Sequence, residues 1–518
     1  MTARVTPVLV AITGVGVLLR VLTIGLAEHR LDADESLIAV MGVDILEGRS
    51  LPYFVYFTSY DGGGVVEAYL AALGFALFGV GESVLKLAVL GVWTGAALLF
   101  AGLCGRALSP RRAVIATALF SLGTPFFVEW SVKARGGYEE TLLIGIALLW
   151  LGEPPARLRS RTRGLGFAFG LLCGIGMWVS EMLLPLIPGA LGWLVARRDA
   201  SERRALLLAL SLGGLIGLAP LVFYNATHDW ANLRGSVVFR LLEGDSRPPL
   251  MLAQLADSAR FVLGPLWGLG VAALAVAAAR LAAERDRLTL EHVLAISLGI
   301  YVLGYWLNGL RFLDFPPSRV LYQTAPAVAV LLAVAVDPGP QWKSVRGALA
   351  TLVLALWSAS EVVSLVAWWR SGEPREAGSW RSTFSLIDAP RLHGLLLEEG
   401  VDFAFAGYWS AWPLQLEVAR ARRAGEPGKA INVSVALPPG PLPAGRRAAF
   451  VLNHDAPLLA DIEARLAASG AAVPRHDLGP LTVLAPIDAS RVHTKAGFPR
   501  VLMDGALPPL PEVPDGFN

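Results

Sequence analysis

The sequence predicts an all-α polytopic membrane protein of about eleven transmembrane helices, followed by a soluble α/β domain. Hydrophobic residues make up 54% of the 518 residues and charged residues only 17%, whereas soluble chains carry about 25% charge. The charge deficit lies before Gly372, so we place a transmembrane domain at residues 1–370 and a soluble domain at residues 371–518. A net charge of +2 excludes a broad nucleic-acid-binding surface, so we expect no nucleic-acid partner. The apolar composition predicts the lipid bilayer as a partner.

Eleven apolar runs have, or approach, the roughly 20-residue length that a bilayer core requires. The first run ends in Glu28-His29-Arg30 without a small-residue cleavage site, which predicts an uncleaved span. The predicted spans are residues 5–27, 85–103, 113–128, 138–151, 165–179, 182–196, 205–224, 259–279, 293–307, 320–336 and 348–368.

Five clusters of Arg and Lys between these runs predict the orientation, because short cytoplasmic loops carry an excess of basic residues. All five are cytoplasmic if the N-terminus is inside and the apolar run 65–80 does not cross the membrane. We expect that run to be a juxtamembrane helix at the outer interface. The long first loop, residues 28–83, and the C-terminal domain are then periplasmic in a bacterial inner membrane. The clusters lie at residues 106–112, 157–163, 197–204, 280–287 and 343–346.

Strand-like and helix-like runs alternate after Gly372, which predicts a small α/β layer domain. A helix at residues 457–469 should bury Leu458, Leu459, Ile462 and Leu466, which share one face. The final segment, 499–518, is rich in Pro and predicted to be extended. The strand-like runs are residues 401–406, 430–437, 448–452 and 481–486, and the other helix-like runs are 386–399 and 412–423.

The strongest chemical signal is the acidic sequence Asp32-Ala33-Asp34-Glu35, a few residues after the first span. One interpretation is an N-cap and acidic first turn for a helix over residues 36–46, because carboxylates favour helix starts. The other is a general base, because a carboxylate partly removed from water gains proton affinity. Asp32 and Asp34 also form a pair that could hold a divalent cation beside a phosphate, although a helix start needs no metal.

A short first span with an internal Arg, followed by an Asp-Glu pair, resembles the C-type (GT-C) membrane glycosyltransferases. The chain is similar to bacterial relatives of protein O-mannosyltransferases and aminoarabinose transferases. Val320 stands where the family's Arg-Tyr-Leu element has Tyr, and the Lys-Pro-Pro segment of some members is absent. The residues that carry the resemblance are Arg20, Asp34-Glu35, 78–83, 134–138, 220–225, 317–322 and, in unassigned bacterial members, 407–412.

The resemblance implies the GT-C fold and transfer of a sugar from a polyprenyl-phosphate-linked donor to a periplasmic lipid, glycan or protein acceptor. It implies inversion by direct displacement, with Asp34 as the base and Glu35 orienting it or the acceptor. Outer-loop cations would contact the phosphate, because guanidinium donors match two of its oxygens. The alternative is that these cations are snorkelling interface anchors. The substrate-binding candidates are Tyr60, Asp61, Lys133, Arg135, Tyr138 and Arg319, with Arg311 as a further cation.

Arg20 lies inside the predicted first span, where a charge costs about 2.5–3.5 kcal/mol on insertion scales. We expect it to face the helix bundle and to pair with Glu67 or Glu129. Two other functions remain open: a non-catalytic lipid-carrier or polysaccharide-assembly protein with the same groove, and a transporter. Transporters usually contain internal repeats, and we find none in this sequence.

The predicted topology can be tested with reporter fusions after Arg112 and after Trp380. We expect an inside signal at Arg112 and an outside signal at Trp380, because all five basic clusters then lie on the cytoplasmic side. An outside signal at Arg112, or an inside signal at Trp380, would contradict this topology.

Overall fold

The computed structural model shows a mostly helical chain with one small sheet, as the sequence predicts. Two compact units are present. Unit 1 consists of Met1–Glu28, Tyr53–Glu67 and Lys86–Gly372, and unit 2 of His29–Pro52, Ala68–Leu85 and Glu373–Asn518. Unit 2 thus combines two parts of the first long loop with the C-terminal region. The predicted division into domains at residue 370 stays a prediction. The structure describes residues 6–27, 29–56, 64–155, 158, 160–230, 232–233, 252–284, 288–308, 317–337, 345–371, 387–426, 431–435, 437, 442–453, 457–468, 473–479 and 481–492.

Sixteen helices precede the C-terminal region in the described part of the chain. They are α1 (Thr6–Leu26), α2 (Ala33–Leu46), α3 (Gly64–Phe78), α4 (Glu82–Ala107), α5 (Pro110–Leu122), α6 (Pro125–Trp130), α7 (Tyr138–Gly152), α8 (Thr162–Val179), α9 (Ile187–Ala196), α10 (Ala200–Gly217), α11 (Ala219–Thr227), α12 (Leu252–Leu263), α13 (Trp267–Ala283), α14 (Leu290–Asn308), α15 (Ala325–Val336) and α16 (Val345–Ser371).

Three of these helices, α1, α4 and α8, are long and apolar enough to cross a membrane, among the residues that the structure describes. Two bent pairs also qualify when each is counted as one span: α10 with α11, bent by 46°, and α12 with α13, bent by 94°. Four further apolar helices are shorter, and α3 is one of them. The count of about eleven spans therefore stays a prediction.

Helices α8 and α10 approach so closely that their glycines are required. Gly166, Gly170 and Gly174 recur at every fourth position of α8 and face the backbone of α10. A Cβ atom at Gly170 would overlap the carbonyl oxygen of Leu210. Small residues at this spacing let helix backbones pack closely where apolar burial provides little driving force between helices.

Arg20 is completely buried in unit 1, but its predicted pairing with Glu67 or Glu129 is wrong. Its guanidinium donates to the hydroxyl of Ser131 at 2.6 Å and to the carbonyl oxygens of Gly16 and Ser121 at 3.0 and 2.6 Å. It also lies 3.4 Å from the centre of the Trp93 ring. The hydrogen bonds of Arg20 thus go to a serine hydroxyl and two backbone carbonyls rather than to Glu67 or Glu129, because five N–H donors need several acceptors.

The C-terminal region of unit 2 has a five-stranded mixed sheet with the strand order β2-β1-β3-β5-β4. Strand β1 pairs parallel with β2 and β3, and β5 pairs antiparallel with β3 and β4. The four predicted strands are confirmed, and β4 is additional. The elements are α17 (Ala389–Glu398), β1 (Phe403–Ala406), α18 (Tyr408–Arg423), β2 (Asn432–Ser434), β3 (Arg447–Asn453), α19 (Pro457–Ala468), β4 (Arg475–Leu478) and β5 (Leu481–Asp488).

Helix α19 buries the predicted apolar face against the sheet. Leu459, Ile462 and Leu466 pack in one cluster with Phe405 and Phe450 of the central strands. The spacing of these residues in the sequence is therefore sufficient to predict which side of α19 is buried. The predicted extended segment 499–518 lies outside the described residues.

Helix α2 belongs to unit 2, and every residue from Glu35 to Val43 is buried. It packs against α3, where a Cβ atom on Gly42 would lie 3.0 Å from the Cβ atom of Ala71. It also packs lengthwise against α18 of the C-terminal region. A helix covered on all sides has a fixed orientation, so the residues in its first turn are held rigidly.

The close packing of α8 on α10 leads to a stability prediction. Gly170→Ala should lower the melting temperature of the purified protein, because the added methyl group must displace backbone and overpacking costs about 1–3 kcal/mol. Gly102→Ala in α4 is the matched control, since nothing lies within 4 Å of its Cβ position. It should leave the melting temperature unchanged or raise it. Equal melting temperatures for both variants would contradict the close helix contact.

Candidate functional site

The N-terminus of α2 is closed by Asp32 and Glu35. The Asp32 carboxylate accepts a hydrogen bond from the Glu35 backbone N–H at 3.0 Å, and the Glu35 carboxylate accepts one from the Asp32 N–H at 3.3 Å. This reciprocal pair is a capping box. The helix therefore begins at Ala33, three residues before the predicted start. The capping interpretation applies to Asp32 and Glu35, and the orienting role of Glu35 stays a prediction.

Asp34 lies in the same helical turn but outside the capping box. Its Oδ1 atom accepts a hydrogen bond from the hydroxyl of Tyr408 at 2.8 Å. Tyr408 is the first residue of α18, directly after β1, and Gly407 is its N-cap residue. The Tyr408 ring is itself held by Trp409 and Trp412, with ring centres at 5.4 and 6.3 Å. Asp34 is half-buried, which leaves part of its surface open to a reacting group.

A second group of predicted site residues lies on the loop between α6 and α7 of unit 1. Gly136 and Gly137 both have left-handed backbone conformations, with φ of 89° and 84°. Their N–H groups point at the Glu67 carboxylate, at 3.0 and 3.2 Å. Successive N–H groups in such a turn, at the start of a helix, form an anion-binding concavity. In this structure the Glu67 carboxyl group is the acceptor that it holds.

Lys133, Arg135 and Tyr138 lie around this turn. The Arg135 guanidinium lies 4.9 Å from the centre of the Trp130 ring, and the Tyr138 ring centre is 5.0 Å from the same ring. Lys133 is 3% exposed and its ammonium is 3.9 Å from the Glu129 carboxylate. Lys133 thus balances a buried acid, whereas Arg135 is half-buried at the edge of the turn.

Three predicted candidates, Tyr60, Asp61 and Arg311, lie outside the described residues. For Arg319 the structure describes the backbone, which belongs to the 3-10 helix Pro317–Thr324, but not the side chain. Across the described ranges, no group of three or more His, Cys, Asp and Glu residues is arranged to hold a metal ion. The Asp32 carboxylate, one half of the predicted cation pair, is occupied by the helix cap.

The residue that sequence reasoning missed is Tyr408. Its contact with Asp34 joins positions 374 residues apart, which no local periodicity encodes. A signal was present, because the segment 407–412 carries one Tyr and two Trp at the start of a helix. Aromatic residues with polar tips are typical of binding and contact surfaces, and this segment is the densest such group in the C-terminal region.

Comparisons with known proteins support the predicted resemblance. Residues 63–224 match the family model for dolichyl-phosphate-mannose-protein mannosyltransferase. A search of curated protein sequences finds no match. ArnT from Cupriavidus metallidurans bound to undecaprenyl phosphate is similar with a TM-score of 0.60 and 13% identity, over 92% of this chain and 97% of that chain.

Two other solved structures are similar to the chain. ArnT from the same organism in the apo state has a TM-score of 0.57 and 14% identity, with the same coverage of both chains. The Archaeoglobus fulgidus oligosaccharyltransferase in the apo form has a TM-score of 0.49 and 13% identity, over 80% of this chain and 64% of that chain. At sequence identities this low, the similarity shows a shared fold. The chain therefore has the GT-C fold of ArnT and, over residues 63–224, the sequence pattern of the mannosyltransferase family model.

Proposed function

We propose that this protein is a membrane glycosyltransferase that moves a sugar from a polyprenyl-phosphate-linked donor to an acceptor on the periplasmic face, with Asp34 as the general base. The observation that carries the proposal is that the three carboxylates at the start of α2 have different contacts. Asp32 and Glu35 complete the helix cap, so capping does not explain Asp34. The fold supports the choice of donor, because ArnT has this fold and its solved complex contains undecaprenyl phosphate.

The proposed reaction is a single displacement at the anomeric carbon of the donor sugar. An acceptor hydroxyl or amine forms a new bond to that carbon while the bond from the carbon to the phosphate oxygen breaks. The polyprenyl phosphate leaves with the bonding electron pair, and the acceptor proton moves to the Asp34 carboxylate. Attack opposite the leaving group inverts the anomeric centre. A positioned carboxylate contributes about 10²–10⁴-fold to such a step.

The leaving phosphate gains charge as the bond breaks, so fixed cations that contact it lower the barrier. We propose Arg135 and Arg319 for this role. Arg135 is held against Trp130 beside the Gly136–Gly137 turn, and a guanidinium can donate to two phosphate oxygens at once. Lys133 is less suitable, because its ammonium is buried beside Glu129.

Asp34→Asn tests the general base. Turnover should fall about 10²–10⁴-fold, because an amide cannot accept the acceptor proton. The measurement is release of undecaprenyl phosphate from undecaprenyl-phosphate-linked mannose or aminoarabinose, with bacterial envelope extract as the acceptor source. Asp32→Asn is the matched control, since Asn caps a helix about as well as Asp. It should retain turnover near that of the wild type.

Wild-type turnover in folded Asp34→Asn protein would exclude Asp34 as the base. Glu35→Gln would then be measured in the same assay and compared with Asp32→Asn, so that both remaining carboxylates are tested as the base. Full activity in all three variants would favour the non-catalytic lipid-carrier protein over a glycosyltransferase.

Arg135→Ala and Arg319→Ala test the phosphate contacts. Each should weaken binding of undecaprenyl phosphate roughly ten- to a hundred-fold, because a charge-assisted hydrogen bond contributes about 1.5–3 kcal/mol. Binding is measured by titrating purified protein in detergent with undecaprenyl phosphate. Arg446→Ala is the control, since it removes an exposed guanidinium whose partner is Asp402 in the C-terminal region. Unchanged affinity in both test variants would indicate that these arginines are interface anchors.

A further inference from the structure

Helix α18 of the C-terminal region lies lengthwise and parallel to α2, which carries the proposed base. At one end, Tyr408 at the start of α18 donates to Asp34 at the start of α2. At the other end, Arg422 donates to Asp44 at 3.2 Å and to Glu47 at 2.9 Å. All of these residues belong to unit 2. The contacts thus span about 20 Å along both helices, at a rise of 1.5 Å per residue.

From this arrangement we infer that Tyr408 is a positioning residue for Asp34, so that the C-terminal region forms part of the catalytic apparatus. The inference rests on the proposed function, since it assigns a role to a residue that acts on the proposed base. The Tyr408 hydroxyl donates to one carboxylate oxygen of Asp34 and fixes the rotation of the side chain. The carboxylate thus keeps one orientation in which to take up the acceptor proton.

The hydrogen bond from Tyr408 also affects the ionisation of the Asp34 carboxylate. A hydrogen bond to an ionised carboxylate stabilises the ionised form, which is the form that accepts a proton. Tyr408 therefore keeps Asp34 ready to act at lower pH, at the expense of some basicity. Fixing a catalytic group in its working geometry is a large source of rate, and a misplacement of about 1 Å can cost 10²-fold.

Arg422 provides the matched control for docking of the C-terminal region. It is 14 residues from Tyr408, and its partner Asp44 lies ten residues, about 15 Å, from Asp34. This distance exceeds the Debye length of about 8 Å at physiological ionic strength. Burial raises the pKa of Asp44, while Arg422 and Arg49 oppose the rise. The other ionisable groups on the two helices and their ends are Asp32, Glu35, Glu47, Glu417, Arg420 and Arg423.

Tyr408→Phe is the test variant, because it keeps the ring contacts and removes only the hydroxyl. We expect kcat to fall at least about tenfold with little change in KM, since a hydrogen bond to a charged group is lost. The acidic limb of the pH–rate profile should move to higher pH, because the ionised carboxylate loses its donor. Arg422→Gln should lower the melting temperature without moving that limb. Tyr69→Phe removes a hydroxyl that donates to the carbonyl oxygen of Pro52 and should change neither kcat nor the acidic limb.

A double variant separates positioning from docking. In the Asp34→Asn background, Tyr408→Phe should cause no further loss beyond about twofold, because both substitutions then remove the same interaction. Turnover is normalised to the monodisperse fraction from size-exclusion chromatography, so partial misfolding does not enter the comparison. Additive losses, or a Tyr408→Phe variant with the pH profile of the wild type, overturn the inference.

The failure of the inference is distinguishable from the failure of the proposed function. Wild-type activity of Tyr408→Phe beside an inactive Asp34→Asn variant overturns the positioning role alone. Full activity of Asp34→Asn overturns the base and the positioning role together. A tenfold loss in Tyr408→Phe that Arg422→Gln reproduces, without any shift of the acidic limb, assigns the contact to docking and also overturns the inference.

Discussion

The reciprocal hydrogen bonds between Asp32 and Glu35 hold two of the three carboxylates at the start of α2 in a helix cap. A helix start leaves backbone N–H groups without intrahelical partners, and α2 is too deeply covered to leave them to water. Two of the three carboxylates in this turn are therefore committed to the backbone. The cap fixes the first turn, and Asp34 extends from that fixed turn with its direction set by the helix rather than by a flexible loop.

Buried polar side chains also fix the positions of segments in unit 1. Arg20 satisfies its donors with two backbone carbonyls and a serine hydroxyl, and its guanidinium also lies over the Trp93 ring. Glu67 satisfies its carboxylate with the N–H groups of Gly136 and Gly137. In both cases the partners include the backbone of another segment, which is Ser121 for Arg20 and the Gly136–Gly137 turn for Glu67. Such contacts hold segments together at defined positions, which is how the loop beside Arg135 acquires a specific shape.

Much of this architecture could be predicted from the sequence because it depends on local patterns. Apolar runs predict the helices, and the spacing of Leu459, Ile462 and Leu466 predicts the buried face of α19. Strand β4 could not be predicted, because Arg475-His476-Asp477-Leu478 is a mostly polar edge strand with no buried residue. The backbone acceptors of Arg20 could not be predicted either, since a carbonyl oxygen is present at every position and carries no sequence signal.

The local part of the candidate site could be predicted from the sequence, whereas its long-range contact could not. The acidic sequence at residues 32–35 predicts both a cap and a base, and the spacing D-x-x-E identifies the two capping members when read as a capping box. What the sequence does not contain is the partner of the third carboxylate. The contact between Asp34 and Tyr408 depends on the docking of a helix that follows 374 residues later.

The parallel pairing of α2 and α18 explains the distribution of charge along both helices. Two N-termini meet at the end that holds Asp34, so the partial positive charges of two helix dipoles add there and favour a carboxylate. The opposite end combines two C-termini with the carboxylates of Asp44 and Glu47, which would be unfavourable without compensation. The last turn of α18 provides it through Arg420, Arg422 and Arg423. The same pairing that stabilises an anion at the proposed base therefore requires cations about 20 Å away, and α18 contributes the key side chains at both ends.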